Sequence, residues 1–147
     1  MVEKINAVKL FLLSVLGGVG SWAINMLGGW TEDLTTLLIF MGIDFVLGLL
    51  IAGIWKSSNK SDTGKLNSIS AWKGLIRKGV TLLVVLIAHR LDVTIGVDYI
   101  KTAVVVAFIA NEGLSIVENL GIMGVPLPAM IKKALEVLTN KAEQEGE

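Results

Sequence analysis

Apolar residues gather in four long runs along the chain, and most of them have the length of a membrane-crossing helix. A hydrocarbon core needs ~20 predominantly apolar residues in a helix. The runs occupy residues 10–30, 34–55, 75–91 and 99–125. The third is the weakest, because its uninterrupted apolar part would span only about 15 Å as a helix. The pattern predicts an all-α integral membrane protein with about four transmembrane helices, in a single membrane domain over residues 1–147.

Two segments between and after these runs have a different character. Residues 56–73 are rich in Ser, Asn and Lys and predict a basic loop with at most a short surface helix. Residues 130–142 place Ile131, Leu135 and Leu138 on one helical face. They predict a short amphipathic helix that lies on the membrane surface or packs on its neighbours. Before it, Pro126 and Pro128 end the fourth run.

The first run has small residues and one competing interpretation. Gly17, Gly18 and Ser21 predict a face on which a second helix backbone approaches closely. The start of the chain also resembles a signal peptide, with lysines before an apolar core. Because the apolar run continues past Ala23, we expect this segment to be retained as a span.

The fourth run carries a stripe of polar residues. On a helix, six of them fall within an arc of roughly 120°. They are Lys101, Asn111, Glu112, Ser115, Glu118 and Asn119. The opposite side has no charge, so in a membrane it can face lipid, while the polar side needs a partner helix or water. The pattern points to a protein that associates with itself in a bilayer and opens a path through it.

The stripe has two interpretations. Its residues form static contacts that fix the register between helices, such as Glu112 with Lys101 or Arg90. Alternatively, the stripe is hidden in a compact bundle and lines water in a larger assembly. The second interpretation requires Glu112 and Glu118 to be accessible to aqueous reagents in the conducting state.

The second run contains one charge, Asp44, near its middle. A carboxylate at that depth must be paired, hydrated or protonated, since alone it costs several kcal/mol. Gly48 and Ala52 follow at helical spacing and predict close approach of a neighbouring helix. Asp44 and Gly48 therefore join the six stripe residues as candidates for pore lining or helix packing.

Composition supports the membrane interpretation and excludes several other classes. Hydrophobic residues make up 53% of the chain, and its mean hydropathy is +0.71. The net charge of +0 gives no nucleic-acid footprint. With no cysteine and one histidine, the chain lacks the usual ligands of a transition-metal site. We expect no catalytic residue, no cofactor and no metal, and hence no enzyme.

Basic residues indicate the orientation in the membrane. They are concentrated between the second and third runs and near both termini, whereas the connector between the first two runs carries only Glu32 and Asp33. The positive-inside rule then places both termini and the basic loop in the cytoplasm. Four crossings satisfy this arrangement, but three would put the C-terminal lysines outside.

Several motifs resemble those of the phage holins of the toxin-secretion/phage-lysis family, which includes the clostridial toxin-secretion holins. The strongest is FIANEGLSIVEN at residues 108–119, followed by GVPLP at 124–128. DFVLG at 44–48 and SAWKGLIRK at 70–78 also match. One departure is Leu47, where a threonine or similar residue is expected. The likeness covers about residues 35 to 140, and the first span matches only in character.

This resemblance implies a function in lysis. Holins accumulate in the cytoplasmic membrane of an infected bacterium, form homo-oligomers and open large lesions. A phage endolysin, with no direct contact implied, then escapes and the host cell lyses; relatives in toxin loci are associated with toxin release. The alternatives are a small ion channel or proton-coupled transporter using Asp44 and Glu112, and an adaptor that docks a soluble partner through its basic loop.

Overall fold

The protein is described by a computed structural model that covers residues 2–55 and 68–144, with side chains from residue 6 onward. The helices are α1 (Val2–Met26), α2 (Glu32–Leu50), α3 (Ser68–Ile95), α4 (Ile100–Ile122) and α5 (Ala129–Gln144), and α2 continues into a π-helical turn at Ile51–Trp55. No strand occurs in these two ranges. The predicted all-α architecture is confirmed for them.

Three of these helices are long and apolar enough to cross a membrane. They correspond to Asn6–Met26, Glu32–Trp55 and Ile100–Ile122. Helix α3 is longer than any of them, but its charged residues keep it outside the same criterion of length and composition. The structure thus supports a membrane protein with three candidate spans, which come from the first, second and fourth apolar runs.

Helix α1 ends earlier than the first run predicted, at Met26 instead of residue 30. Gly28 and Gly29 have positive φ angles of 90° and 83°, which glycine adopts without the steric strain that a Cβ introduces. The turn also requires a residue without a side chain at position 28, because a Cβ on Gly28 would lie 2.8 Å from Nδ1 of His89. These glycines stop α1 and turn the chain directly into α2.

Helix α4 lies at the centre of the bundle and packs against α2, α3 and α5. The apolar core is formed where these helices meet the end of α1. Its buried members are Leu27, Leu34, Leu37, Met41, Val85, Val105 and Ile109. Most of α1 stands away from this core, and its residues from Asn6 to Trp22 are all exposed.

The third helix differs most from its prediction. Helix α3 begins at Ser68 and ends at Ile95, whereas the apolar run suggested residues 75–91. The end of the predicted loop, residues 68–73, is therefore helical, while residues 56–67 lie outside the described part. The extension follows an inward face on which Ala71, Lys78, Val85 and Asp92 recur every seven residues.

Helix α5 packs along α4 and corrects the prediction that the uncharged side of α4 faces lipid. Val106, Ile109, Ala110 and Gly113 on that side are buried. At Gly113 the approach leaves no room for a side chain, because a Cβ there would lie 2.5 Å from Cδ2 of Leu135. The apolar side of α4 thus packs largely within the chain, because the amphipathic α5 has an apolar face of its own to bury.

Candidate functional site

A lysine and two carboxylates from three helices meet in the interior of the bundle. Nζ of Lys78 on α3 lies 2.9 Å from Oδ2 of Asp44 on α2 and 2.6 Å from Oε2 of Glu112 on α4. Asp44 is 4% exposed and Glu112 is 8% exposed. We call Asp44, Lys78, Glu112, Ser115 and Asn119 the buried polar cluster.

The second oxygen of Asp44 is bound by α4. Oγ of Ser115 donates to Oδ1 at 2.6 Å, and Nδ2 of Asn119 donates to the same atom at 2.9 Å. Within the described residues, every buried side-chain nitrogen or oxygen has a hydrogen-bond partner. Asp44 therefore accepts from both α3 and α4, and these contacts offset the cost of burying a carboxylate.

Helical spacing explains why α4 supplies three members of the cluster. Glu112, Ser115 and Asn119 follow one another at i+3 and i+4, so their side chains lie on one face. Asp44 and Glu112 both lie 12 residues after the first residues of their helices, Glu32 and Ile100. At 1.5 Å per residue, the cluster is about 18 Å from those helix ends, deep in the bundle.

The charges of the cluster do not balance when all three ionisable groups are charged. Two carboxylates then face one ammonium group, which leaves one negative charge in a medium of low dielectric. Lys78 compensates both acids, since its Nζ contacts each of them. Loss of Lys78 would remove the ammonium group that contacts both buried carboxylates. Removing one partner of a buried ion pair is strongly destabilising.

A second polar contact ties α3 to α4 at the opposite end. Asp92, which was predicted to lie in a connector, is in α3 and is 6% exposed. Its carboxylate accepts the backbone N–H groups of Ile100 and Lys101, each at 2.9 Å. These are orphan donors of the first turn of α4, and a negative charge is favourable there. Asp92 fixes the register between the two helices.

The structure brings together half of the residues predicted from sequence. Asp44, Glu112, Ser115 and Asn119 belong to the buried polar cluster. The other four lie elsewhere: Lys101 is buried near Thr31, Asn111 and Glu118 are exposed, and Gly48 has no atom within 4 Å of a Cβ built on it.

Two of these placements are corrections. Gly48 was expected at a close helix contact near Asp44, but among the described residues no atom lies within 4 Å of a Cβ built on it. Glu112 was expected to pair with Lys101 or Arg90, and Lys78 holds it instead. Lys101 is 11 residues from Glu112, or about 16 Å along the helix, which is too far.

Lys78 was missed because its place at the end of an apolar run suggested snorkelling to the membrane surface. The register between α3 and α4, once it is known, shows that Lys78 faces the interior of the bundle. Asp92 meets Ile100 where α3 and α4 run in opposite directions, so the residue opposite Glu112 is near residue 80. Lys78 is the base closest to that level, and it shares a helical face with Val85 and Asp92.

No group of three or more His, Cys, Asp or Glu residues that could hold a metal ion occurs among the described residues. The chemistry of the buried polar cluster is that of charge neutralisation and helix packing inside an apolar protein.

Comparison with known proteins identifies the family. The chain matches the bacteriophage holin family over residues 21–140. It belongs to that family. A probable holin of Bacillus phage phi105 is 38% identical over 120 residues, which cover 81% of this chain and 83% of the relative. The holin family is not an enzyme family, and the resemblance seen in the sequence motifs is confirmed.

Two cellular relatives have similar lengths. An uncharacterized 14.9 kDa protein of Clostridium perfringens, from the region 3′ of nagH, is 35% identical over 96% of this chain and 99% of its own. The uncharacterized protein YqxH of Bacillus subtilis is 37% identical over 79% of this chain and 78% of its own. No solved structure matches the chain. The matched range, residues 21–140, includes every member of the buried polar cluster.

Proposed function

We propose that this holin-family protein assembles with copies of itself in the cytoplasmic membrane of a bacterium and opens lesions large enough for an endolysin. Membership of the holin family carries the proposal. The surface of the bundle agrees with it, since large apolar side chains are exposed along α1, α2 and α3. Lipid and neighbouring copies are the two environments in which such a surface is stable.

We propose four crossings, with the N-terminus and the start of α5 in the cytoplasm, for a single membrane domain. The crossing with the least support from the sequence is α3. Lys78 and Asp92 on this helix point into the bundle, where they have partners. The outward side between Arg77 and Arg90 is then uncharged over about 20 Å, and the two arginines can extend towards opposite surfaces. The internal pairing of Lys78 thus removes the main objection to a crossing by α3.

The polar stripe of α4 has a divided role in this proposal. Glu112, Ser115 and Asn119 hold the compact bundle together through Asp44 and Lys78. Asn111 and Glu118 form the exposed edge of the stripe. Opening a wide lesion would exchange the contacts of the buried polar cluster for water or for a second copy, because its charges need polar partners in either state.

The ion-channel and transporter alternative draws less support from this geometry. It relied on Asp44 and Glu112 as groups along a conduction path, but both are bound to Lys78 within the bundle. Release of toxin in place of endolysin would use the same kind of lesion. The adaptor alternative relied on residues 56–73, most of which lie outside the described part.

The proposal is tested by induced expression in a bacterium that also contains a folded cytoplasmic reporter protein. We expect sudden depolarisation with release of the reporter once the wall is digested, and lysis that requires an endolysin although depolarisation does not. Depolarisation with the reporter retained after wall digestion would indicate a narrow channel. No change in permeability would favour an adaptor.

A pair of variants tests the divided role of the stripe in the same assay. Glu112→Leu removes one acid from the buried polar cluster and leaves Lys78 paired with Asp44, so we expect insertion in normal amounts but altered lysis timing. Glu118→Leu, its match on the exposed edge, should change timing less. Unchanged timing in both would count against the stripe as a functional element.

A further inference from the structure

Helix α5 runs back along α4 instead of leaving the bundle. Leu135, the sixth residue after Ala129, lies against Gly113, which is nine residues before the end of α4. Further along α5, Leu138 packs against the apolar core that includes Val105 and Ile109. As α5 advances, its contacts therefore move towards the start of α4, and the two helices are antiparallel.

This packing sets the depth of α5 if α4 crosses the membrane. Gly113 is about 14 Å from one end of α4 and about 20 Å from the other, at 1.5 Å per residue. Both distances place it well inside a hydrocarbon core about 30 Å thick. Leu135 lies at the same level, and Asn140 is about 8 Å deeper along α5.

The outer face of α5 is charged at this depth. Lys133, Glu136 and Asn140 lie on the side of the helix away from Leu135, and all three are exposed, as is Val137 beside them. Charged groups in the centre of a bilayer avoid lipid and face a water-filled space or a polar partner. An amphipathic helix lying on the membrane surface would solve the problem differently, but the contact of Leu135 with Gly113 fixes α5 lengthwise on α4.

We infer that the charged face of α5 lines a water-filled path that runs beside α4. In the assembly proposed above, this face supplies an aqueous lining of the lesion. The apolar face of α5 attaches the lining to the spanning helix, with a close approach at Gly113. The width of the path rests on the proposed function. The existence of a water-filled path beside α4 does not.

The chain contains no cysteine, so single spin labels can be attached to cysteine variants without removing native thiols. Glu136→Cys reports on the charged face of α5. Ile39→Cys is the matched control, because Ile39 is 54% exposed and neighbours Phe40, whose ring lies against Gly113 just as Leu135 does. The two labels therefore lie at the same level on different sides of the bundle.

The experiment uses the full chain in vesicles of phosphatidylethanolamine and phosphatidylglycerol. Collision with oxygen measures contact with lipid, and collision with a water-soluble nickel chelate measures contact with water. We expect the Ile39→Cys label to favour oxygen and the Glu136→Cys label to favour nickel. In the double variant, the two labels should show one narrow distance distribution, since two helices packed on the same third helix have axes within about 20 Å.

Two results would overturn the inference. A long, broad distance would mean that α5 leaves α4 for the membrane surface. A short distance with a Glu136→Cys label that nickel does not reach would mean a dry contact with lipid or another copy. Asn140→Cys repeats the test one turn deeper, in case the first substitution disturbs α5.

This test separates the inference from the proposed function. Water contact at Glu136→Cys in vesicles that retain a folded protein would support the lining and contradict large lesions. Release of a folded protein while the nickel chelate never reaches α5 would support the lesion and overturn the lining.

Discussion

Helices α1 and α4 have comparable length and apolar character, yet they are used differently in the bundle. Both qualify as candidate spans, but none of the spanning stretch of α1 is buried, against 39% of that of α4. Helix α4 packs against three other helices, whereas the described side chains of α1 meet the core through its last turn and the following Leu27. Suitability for a membrane therefore does not predict which helices pack together.

The difference follows from what each helix offers besides apolar surface. Lipid is as apolar as leucine, so no hydrophobic driving force brings two spanning helices together. Helix α4 carries Glu112, Ser115 and Asn119, which find Asp44 and Lys78. The small and polar residues of α1, such as Gly18 and Ser21, are exposed. Polar pairing and close approach select the partners of α4, and most of α1 stays outside the core.

The largest effect predicted by this contrast is that of Lys78→Met. It leaves the carboxylates of Asp44 and Glu112 buried without a cation, so we expect a loss of about 3–5 kcal/mol in the free energy of unfolding. Unfolding in detergent micelles, followed by circular dichroism, measures it. Arg77→Met, the exposed neighbour, is the control and should change little. A triple variant that adds Asp44→Asn and Glu112→Gln should recover most of the loss, and equal effects of Lys78→Met and Arg77→Met would refute this account.

A smaller loss is expected from crowding the contact between α4 and α5. Gly113→Val places a branched side chain against Leu135 and Phe40, and overpacking of this kind costs about 1–3 kcal/mol. Gly121→Val is the same change on the same helix, where no atom lies within 4 Å of a Cβ. It should be nearly neutral in the same unfolding assay. Adding Leu135→Ala to Gly113→Val should restore stability, and failure to do so would mean that the contact does not hold α5.

Removing the carboxylate that caps α4 should lower the free energy of unfolding by about the same amount or less. Asp92→Ala removes the acceptor for the N–H groups of Ile100 and Lys101, and loss of a helix cap costs about 1–2 kcal/mol. Asp98→Ala, an exposed acid in the same region, should have little effect on unfolding. If the two variants unfold alike, Asp92 does not fix the register between α3 and α4.

The smallest effect is expected in α1. Gly18→Ala adds a methyl group where no atom lies within 4 Å, so unfolding of the bundle should change by less than about 0.5 kcal/mol. Cross-linking of copies in vesicles is the second measurement, because a contact through this face would show there and not in the monomer. A loss as large as that of Gly113→Val would mean that α1 packs on the bundle, and the contrast with α4 would disappear.

Much of the fold was readable from local pattern. Helix α4, and helix α2 together with its π-helical turn, begin and end within three residues of the predicted runs, and the predicted segment 130–142 lies inside α5. Helix α3 was predicted too short, since a count of charges cannot tell that Lys78 and Asp92 point inward. Among the site residues, Asp44 and Glu112 were found as charges in apolar runs, but Lys78 was not, because its partners are 34 residues away in each direction.

The sequence by itself determined that this chain is helical, suited to a membrane and akin to holins, because hydropathy, helical periodicity and motifs are properties of neighbouring residues. The tertiary structure alone decided how the polar residues of α4 divide between a buried polar cluster and an exposed edge. It also decided that α5 returns along α4 with its charges outward. Both depend on the register between helices, which is set by contacts such as Asp92 with Ile100 and Gly113 with Leu135 that join distant parts of the chain.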